Sequence, residues 1–215
     1  MGWFLLGSVV TRQRWIQACL DSGEEVIWTI IQARLGSARL PGKVMAQIPG
    51  GPRLIDLVYR RAEKIGYPVM LTIPDAELEL GAYCRRREWP YTTGPEEDVL
   101  ARYLLAARAF QADHIIRVTA DCPFLDVEAA CWTVEYHLRT GADFTHHLAE
   151  GRGVQVFTRQ LLEESDRLAP SDKRHSPDLW VLANPGPYWI ETMKFSVDTE
   201  EDLELARKRA REEKE

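Results

Sequence analysis

From Glu25 onward the chain alternates short apolar runs with segments whose apolar positions recur at helical spacing. Residues Val26 to Ile31 form an almost unbroken apolar run, the pattern of a strand covered on both faces. Leu54 to Lys64 predicts a helix from the spacing of Leu54, Leu57, Val58 and Arg61, with Pro52 near its start. Pro68 to Ile73 predicts the second strand, Asp75 to Glu88 a helix, and Glu96 to Phe110 another whose face is Val99, Leu100, Tyr103, Leu104 and Ala107. His114 to Thr119 is the next strand, and Asp126 opens a helix ending near Thr140. Asp143 to Thr145, Gly153 to Phe157 and Ser196 to Asp198 are expected as further strands. Thr199 begins a terminal helix, where Thr199 and Asp202 have capping-box spacing. The alternation predicts an α/β domain around a mixed, mostly parallel sheet. It spans residues 26–215, behind an apolar appendage of residues 1–25 that carries Trp3, Phe4, Trp15 and Ile16.

Composition narrows the function classes. Of the 215 residues 45% are hydrophobic and 28% charged, which suits a folded globular domain rather than a disordered or fibrous chain. Lys plus Arg is 27 against 33 for Asp plus Glu, a net charge of −6. That balance argues against a nucleic-acid polymer as partner. Cys19, Cys84, Cys122 and Cys131 include no C-x-x-C pair, so neither zinc nor a disulfide framework is expected. Reduced thiols point to a cytoplasmic protein. The apolar stretch Met1 to Val10 is too short to span a bilayer and lacks a basic leader, so no membrane insertion is expected.

Candidate chemistry starts at the loop after the first strand, Gln32-Ala33-Arg34-Leu35-Gly36-Ser37-Ala38-Arg39-Leu40-Pro41-Gly42-Lys43. Glycines and three cations at the carboxyl end of a strand can hold a polyphosphate, because α/β sites form at that edge. The same composition also fits an ordinary basic surface loop. It is not a Walker loop: Val44 follows Lys43 where that motif needs Ser or Thr. Asp121 and Asp198 each follow a β-rich run, and carboxylates at separate strand ends suit a magnesium ion that also binds phosphate and water. Taken singly, each aspartate reads equally well as a turn or helix-cap residue.

The segment Ile30 to Val44 resembles the opening signature of cytidylyltransferases of the spore-coat polysaccharide and CMP-sugar synthetase type. The resemblance continues at Gly94-Pro95-Glu96-Glu97-Asp98-Val99-Leu100-Ala101-Arg102-Tyr103, at Ile116-Arg117-Val118-Thr119-Ala120-Asp121-Cys122-Pro123 and at Ser196 to Leu203. It implies a Rossmann-like nucleotide-diphospho-sugar transferase sandwich of the GT-A kind that binds CTP and Mg2+, transfers CMP to a sugar, typically a sugar acid, and releases pyrophosphate. It further implies that Arg34, Arg39 and Lys43 hold the triphosphate and act in catalysis. Gln32, Ala33, Gly36, Ser37 and Thr72 would lie along the nucleotide, and Asp121 and Asp198 would face the metal. Relatives of this kind are often homodimers. Glycosyltransferases, other nucleotidyltransferases on the same fold and non-catalytic nucleotide- or sugar-binding modules are the alternative readings.

The sugar side departs from the family pattern. Where the family carries G-x-D-x-E-V-F, this chain has Gly151-Arg152-Gly153-Val154-Gln155-Val156-Phe157. Lys173-Arg174-His175-Ser176-Pro177 resembles a family R-E-H-V-T-P segment with one residue fewer. Gln155, Arg174 and His175 are therefore the expected sugar contacts. The neighbours His146 and His147 would point to opposite faces of a strand and are not expected to share an ion. Cys122 reads as a packing residue, as do the tryptophans.

Overall fold

A computed structural model describes residues 17–19, 21–37, 40–48, 51–147, 153–184 and 190–193. Seven strands form one sheet in the order β3-β2-β1-β4-β6-β5-β7. They are β1 (Ile27–Gln32), β2 (Val69–Pro74), β3 (Tyr91–Gly94), β4 (His114–Thr119), β5 (Phe144–His147), β6 (Gln155–Thr158) and β7 (Ile190–Met193). Strands β3, β2, β1 and β4 are mutually parallel, β6 runs antiparallel to both neighbours, and β7 is parallel to β5. The expected mixed, mostly parallel sheet is thus present.

Among the described residues it is flanked by the helices α1 (Leu54–Glu63), α2 (Leu78–Arg86), α3 (Val99–Ala109), α4 (Val127–Thr140), α5 (Arg159–Leu168) and α6 (Pro177–Ala183). The period-two alternation of β1 divides the core. Ile27 and Ile31 join the cluster under α1, α2 and α4, with Val58, Leu80 and Val134. Trp28 and Ile30 join the cluster under α3, α5 and α6, with Leu100, Tyr103, Leu161 and Trp180. A central strand buried on both faces has to be apolar throughout, which is why its run was the clearest in the chain.

The structure refines several predicted elements. In α1 the buried stripe is Ile55, Val58, Tyr59 and Ala62, while Leu54 and Leu57 are half-buried. The helix expected from Asp75 begins only at Leu78, because Asp75, Ala76 and Glu77 turn the chain away from Pro74. Strands β3 and β7 and helices α5 and α6 were not anticipated. The caps follow ordinary chemistry: Asp98 accepts from the Ala101 amide at 2.9 Å, and Asp126 from the Ala129 amide at 3.0 Å. The appendage through residue 16, the expected strand at 196–198 and the terminal helix lie outside the described residues.

A buried histidine pair sits at the end of the sheet opposite the cation-rich loop. His114 Nδ1 lies 2.9 Å from His137 Nε2, His137 Nδ1 lies 2.9 Å from Thr145 Oγ1, and His114 Nε2 lies 3.1 Å from Glu25. The donors and acceptors close into one chain when His114 donates to Glu25, His137 donates to His114 and Thr145 donates to His137. Burial, and then the His114 charge, push the His137 pKa down to about 3. The unfolded chain protonates this imidazole near pH ~6.5 whereas the folded one resists, so stability falls as pH drops through that window. Urea midpoints should decline by up to about 1.4 kcal/mol per pH unit below pH ~6.5 from this group. His137→Gln should flatten the slope; an equal slope in both proteins would remove His137 as its source.

Candidate active site

Parallel register gathers the carboxyl ends of the strands at one edge. Gln32 of β1 lies opposite Thr72 of β2 on one side and Thr119 of β4 on the other, and Pro74 lies opposite Gly94 of β3. Because β6 runs the other way, its first residue, Gln155, is brought to the same edge beside Arg117.

The loop after β1 turns back on itself. The Gly42 amide donates to the Leu35 carbonyl at 2.8 Å, and Gly42 adopts φ +71°. That left-handed conformation favours glycine and starts the short 3-10 turn Lys43–Met45. Buried Val44 and Met45 anchor the turn. Lys43 then reaches across to β4, where its ammonium is paired with the Asp121 carboxylate. Burial alone would raise the Asp121 pKa. The hydrogen bond and charge of Lys43, with help from the Thr119 hydroxyl, outweigh it and hold the carboxyl below its ordinary value. The two expected partners, 78 residues apart in sequence, therefore meet. Arg34 is exposed on the same loop, and Gln32 is half-buried at its root. Arg39 and Asp198 lie outside the described residues.

Other expected residues have their polar groups engaged within the scaffold. Thr72 is fully buried, and its hydroxyl donates to the Arg102 carbonyl at 3.3 Å. The Ala33 amide donates to the Thr72 carbonyl at 3.1 Å. The Leu35 amide donates to Glu77 Oε1 at 2.5 Å and the Gly36 amide to the same oxygen at 3.4 Å, so a carboxylate from the β2–α2 connection occupies these loop amides. The Ser37 hydroxyl accepts from the Leu40 amide at 3.4 Å. Arg174 donates to Asp98 at 2.6 Å and also pairs with Asp166, which ties the start of α3 to the end of α5. His175 is exposed.

Gln155 belongs to a ring that sequence reasoning did not find. Arg117 donates to Gln155 Oε1, to Ser176 Oγ at 3.0 Å and to Gln32 Oε1 at 3.4 Å. Gln155 Nε2 donates to Asp178 Oδ2 at 2.9 Å, Ser176 donates to the other oxygen, and Arg117 stands 3.6 Å from Asp178. Burial raises the Asp178 pKa less than the Arg117 charge and these hydrogen bonds lower it, so the group stays ionised below its usual range. The amide at 155 suits this setting because it accepts from a cation on one side and donates to an anion on the other. A glutamate there would face Asp178 without a proton between them. The one sequence signal was Arg117 itself, a cation inside an otherwise apolar strand. Val154, beside Gln155, is buried in the core.

Cys122 contacts Thr119 at 2.9 Å, and burial pushes its thiol up, which fits packing rather than nucleophilic use. His146 stands in register with Gln155 on β5. Among the described residues no helix is long and apolar enough to cross a membrane.

A protein-family model described as "Cytidylyltransferase" matches residues 28–208. The chain is 29% identical over 198 residues to the spore coat polysaccharide biosynthesis protein SpsF of Bacillus subtilis, covering 81% of this chain and 82% of that protein. It is 31% identical over 144 residues to a 3-deoxy-manno-octulosonate cytidylyltransferase of Acidobacterium capsulatum, 65% of this chain and 53% of that one. Its fold is similar to a solved cytidylyltransferase from Leptospira borgpetersenii at TM-score 0.73 and 24% identity, covering 85% of each chain.

Proposed function

The chain belongs to the cytidylyltransferase family, and from that premise we propose that it transfers CMP from CTP to a sugar acid and releases pyrophosphate. The observation that carries the reading is the meeting of Lys43 and Asp121, a cation from the β1 loop and a carboxylate from the end of β4, at the carboxyl edge of the sheet. A 3-deoxy-octulosonate cytidylyltransferase among the relatives supports an acidic acceptor.

The acceptor hydroxyl attacks the α-phosphorus, a new P–O bond forms, and the bond to the β-phosphate oxygen breaks as pyrophosphate leaves. Negative charge gathers on the departing group. A fixed ammonium is worth more there than in the ground state, and Lys43 on its anchored turn supplies one. Arg34 and Arg39 share the loop and would add to it. The ring of Arg117, Gln155, Ser176 and Asp178 lies on the side away from β2 and offers rigid donors and acceptors to the sugar.

Asp121 fits a divalent cation, because its carboxylate already holds a positive group at this edge and offers hard oxygen donors. Asp121, with Asp198 as the expected second ligand, would hold Mg2+. The ion would supply Lewis-acid neutralisation of the phosphate oxygens. The GT-A assignment, a cytoplasmic location and a homodimer complete the reading.

The direct test measures pyrophosphate release with CTP, Mg2+ and 3-deoxy-manno-octulosonate, beside melting curves with CTP, UTP, GTP and ATP. CTP with Mg2+ should raise the melting temperature most, since a ligand bound only by the folded state stabilises it by mass action. Equal shifts for all four nucleotides, or none, would refute the nucleotide assignment.

A further inference from the structure

Asp121 is already engaged within the protein scaffold. Its Oδ2 is taken by the Lys43 ammonium, and its Oδ1 faces the Cys122 sulfur at 3.9 Å. Among the described residues, no group of three or more His, Cys, Asp or Glu side chains is arranged to hold a metal ion. A divalent ion and an ammonium cannot both sit on Oδ2, because they would repel each other at contact distance.

Lys43 is built to change partners. Its backbone is pinned: the Met45 amide donates to the Gly42 carbonyl at 2.9 Å, the Ala46 amide to the Lys43 carbonyl at 3.0 Å, and Val44 and Met45 are buried. Only the flexible four-carbon stem and its compact charge are free to swing. The Lys43 side chain is 26% exposed and that of Asp121 39%, so the pair is partly solvated and held only modestly. A triphosphate lying on the loop offers the ammonium several negative charges in place of one.

We infer that Lys43 is a resident counter-cation: its ammonium fills the divalent-ion seat at Asp121, and it moves to the triphosphate when nucleotide binds, which opens the seat. This rests on the reading of the site as a nucleotidyltransferase centre. The exchange couples the two ligands. Each must raise the other's affinity by the same factor, because the coupling free energy is shared. Free metal ions therefore bind poorly alone, and the nucleotide controls their entry.

The test needs no acceptor sugar and no turnover. Nucleotide-free Mn2+ binding is followed by the electron paramagnetic resonance of unbound Mn2+, in wild type, Lys43→Met, Lys43→Gln and the double variant Lys43→Met with Asp121→Asn. Both single variants should bind Mn2+ about two- to fivefold more tightly than wild type, the scale of releasing a half-exposed ion pair. The double variant should lose the gain. Unchanged or weaker Mn2+ binding in both single variants overturns the inference, and so does a gain that survives loss of the Asp121 charge. Failure of the cytidylyltransferase reading shows itself differently, as the absence of CTP-selective stabilisation in wild type. It leaves the Mn2+ comparison standing.

Discussion

Asp121→Asn should lower CTP-dependent pyrophosphate release by about a thousandfold while leaving the melting temperature within a few degrees of wild type. The fall is roughly 4 kcal/mol of transition-state stabilisation, the scale found when one electrostatic contributor to a charged transition state is removed. It is large because asparagine keeps the shape and loses the charge that the proposed metal seat requires. Stability should hardly change, because the Lys43–Asp121 pair is partly solvated and such pairs contribute about 1 kcal/mol or less. Steady-state kinetics and a melting curve on the same sample separate the two effects. Activity within tenfold of wild type would remove Asp121 from the chemistry.

The second large effect concerns the fold around the sugar side. Arg117 and Asp178 are 14% and 17% exposed, and Arg117 alone serves Gln155, Ser176 and Gln32. Arg117→Met should destabilise the protein by roughly 3–5 kcal/mol, since it leaves the Asp178 carboxylate buried without its counter-charge. For a chain of this size that corresponds to a drop in melting temperature of about 10 °C. Adding Asp178→Asn should recover part of the loss, because it removes the stranded charge. A double variant no more stable than Arg117→Met alone would show that the two residues do not act as a unit.

The half proposed to hold the nucleotide was legible in the sequence because its parts are local or lie at the ends of strongly apolar strands. The cation loop follows β1 directly, and Asp121 closes β4, whose run from Ile115 to Val118 is broken only by Arg117. The half proposed to meet the sugar was not legible in the same way. Gln155 could be singled out as a departure from a pattern, but its meaning depends on Arg117 and Asp178, which β4 and α6 bring to it from 38 residues upstream and 23 downstream. No spacing rule foretells that contact, since it follows from one strand running against the rest of the sheet. Arg174 shows the converse. Its place in a familiar segment suggested a ligand, whereas three-dimensional packing gives it Asp98 and Asp166. Strand β3, Tyr-Thr-Thr-Gly, is too short and too polar to stand out, and it becomes a strand because β2 offers it an edge. Helix α5 went unread because only Leu161, Leu162 and Ser165 are buried along it.

The position of β1 has a bearing on how the molecule assembles. It lies between β2, which arrives soon afterwards, and β4, tied to it by the Val26 amide bonding Asp113 across 87 residues. Until the ribosome has delivered β4, one edge of the most apolar strand stands open and Trp28 lacks the partners of its finished layer, while Lys43 has no Asp121 to meet. Pairing of both edges of β1 and the meeting of Lys43 with Asp121 therefore wait on the same event, and a nascent chain that stops short of it exposes an apolar strand edge.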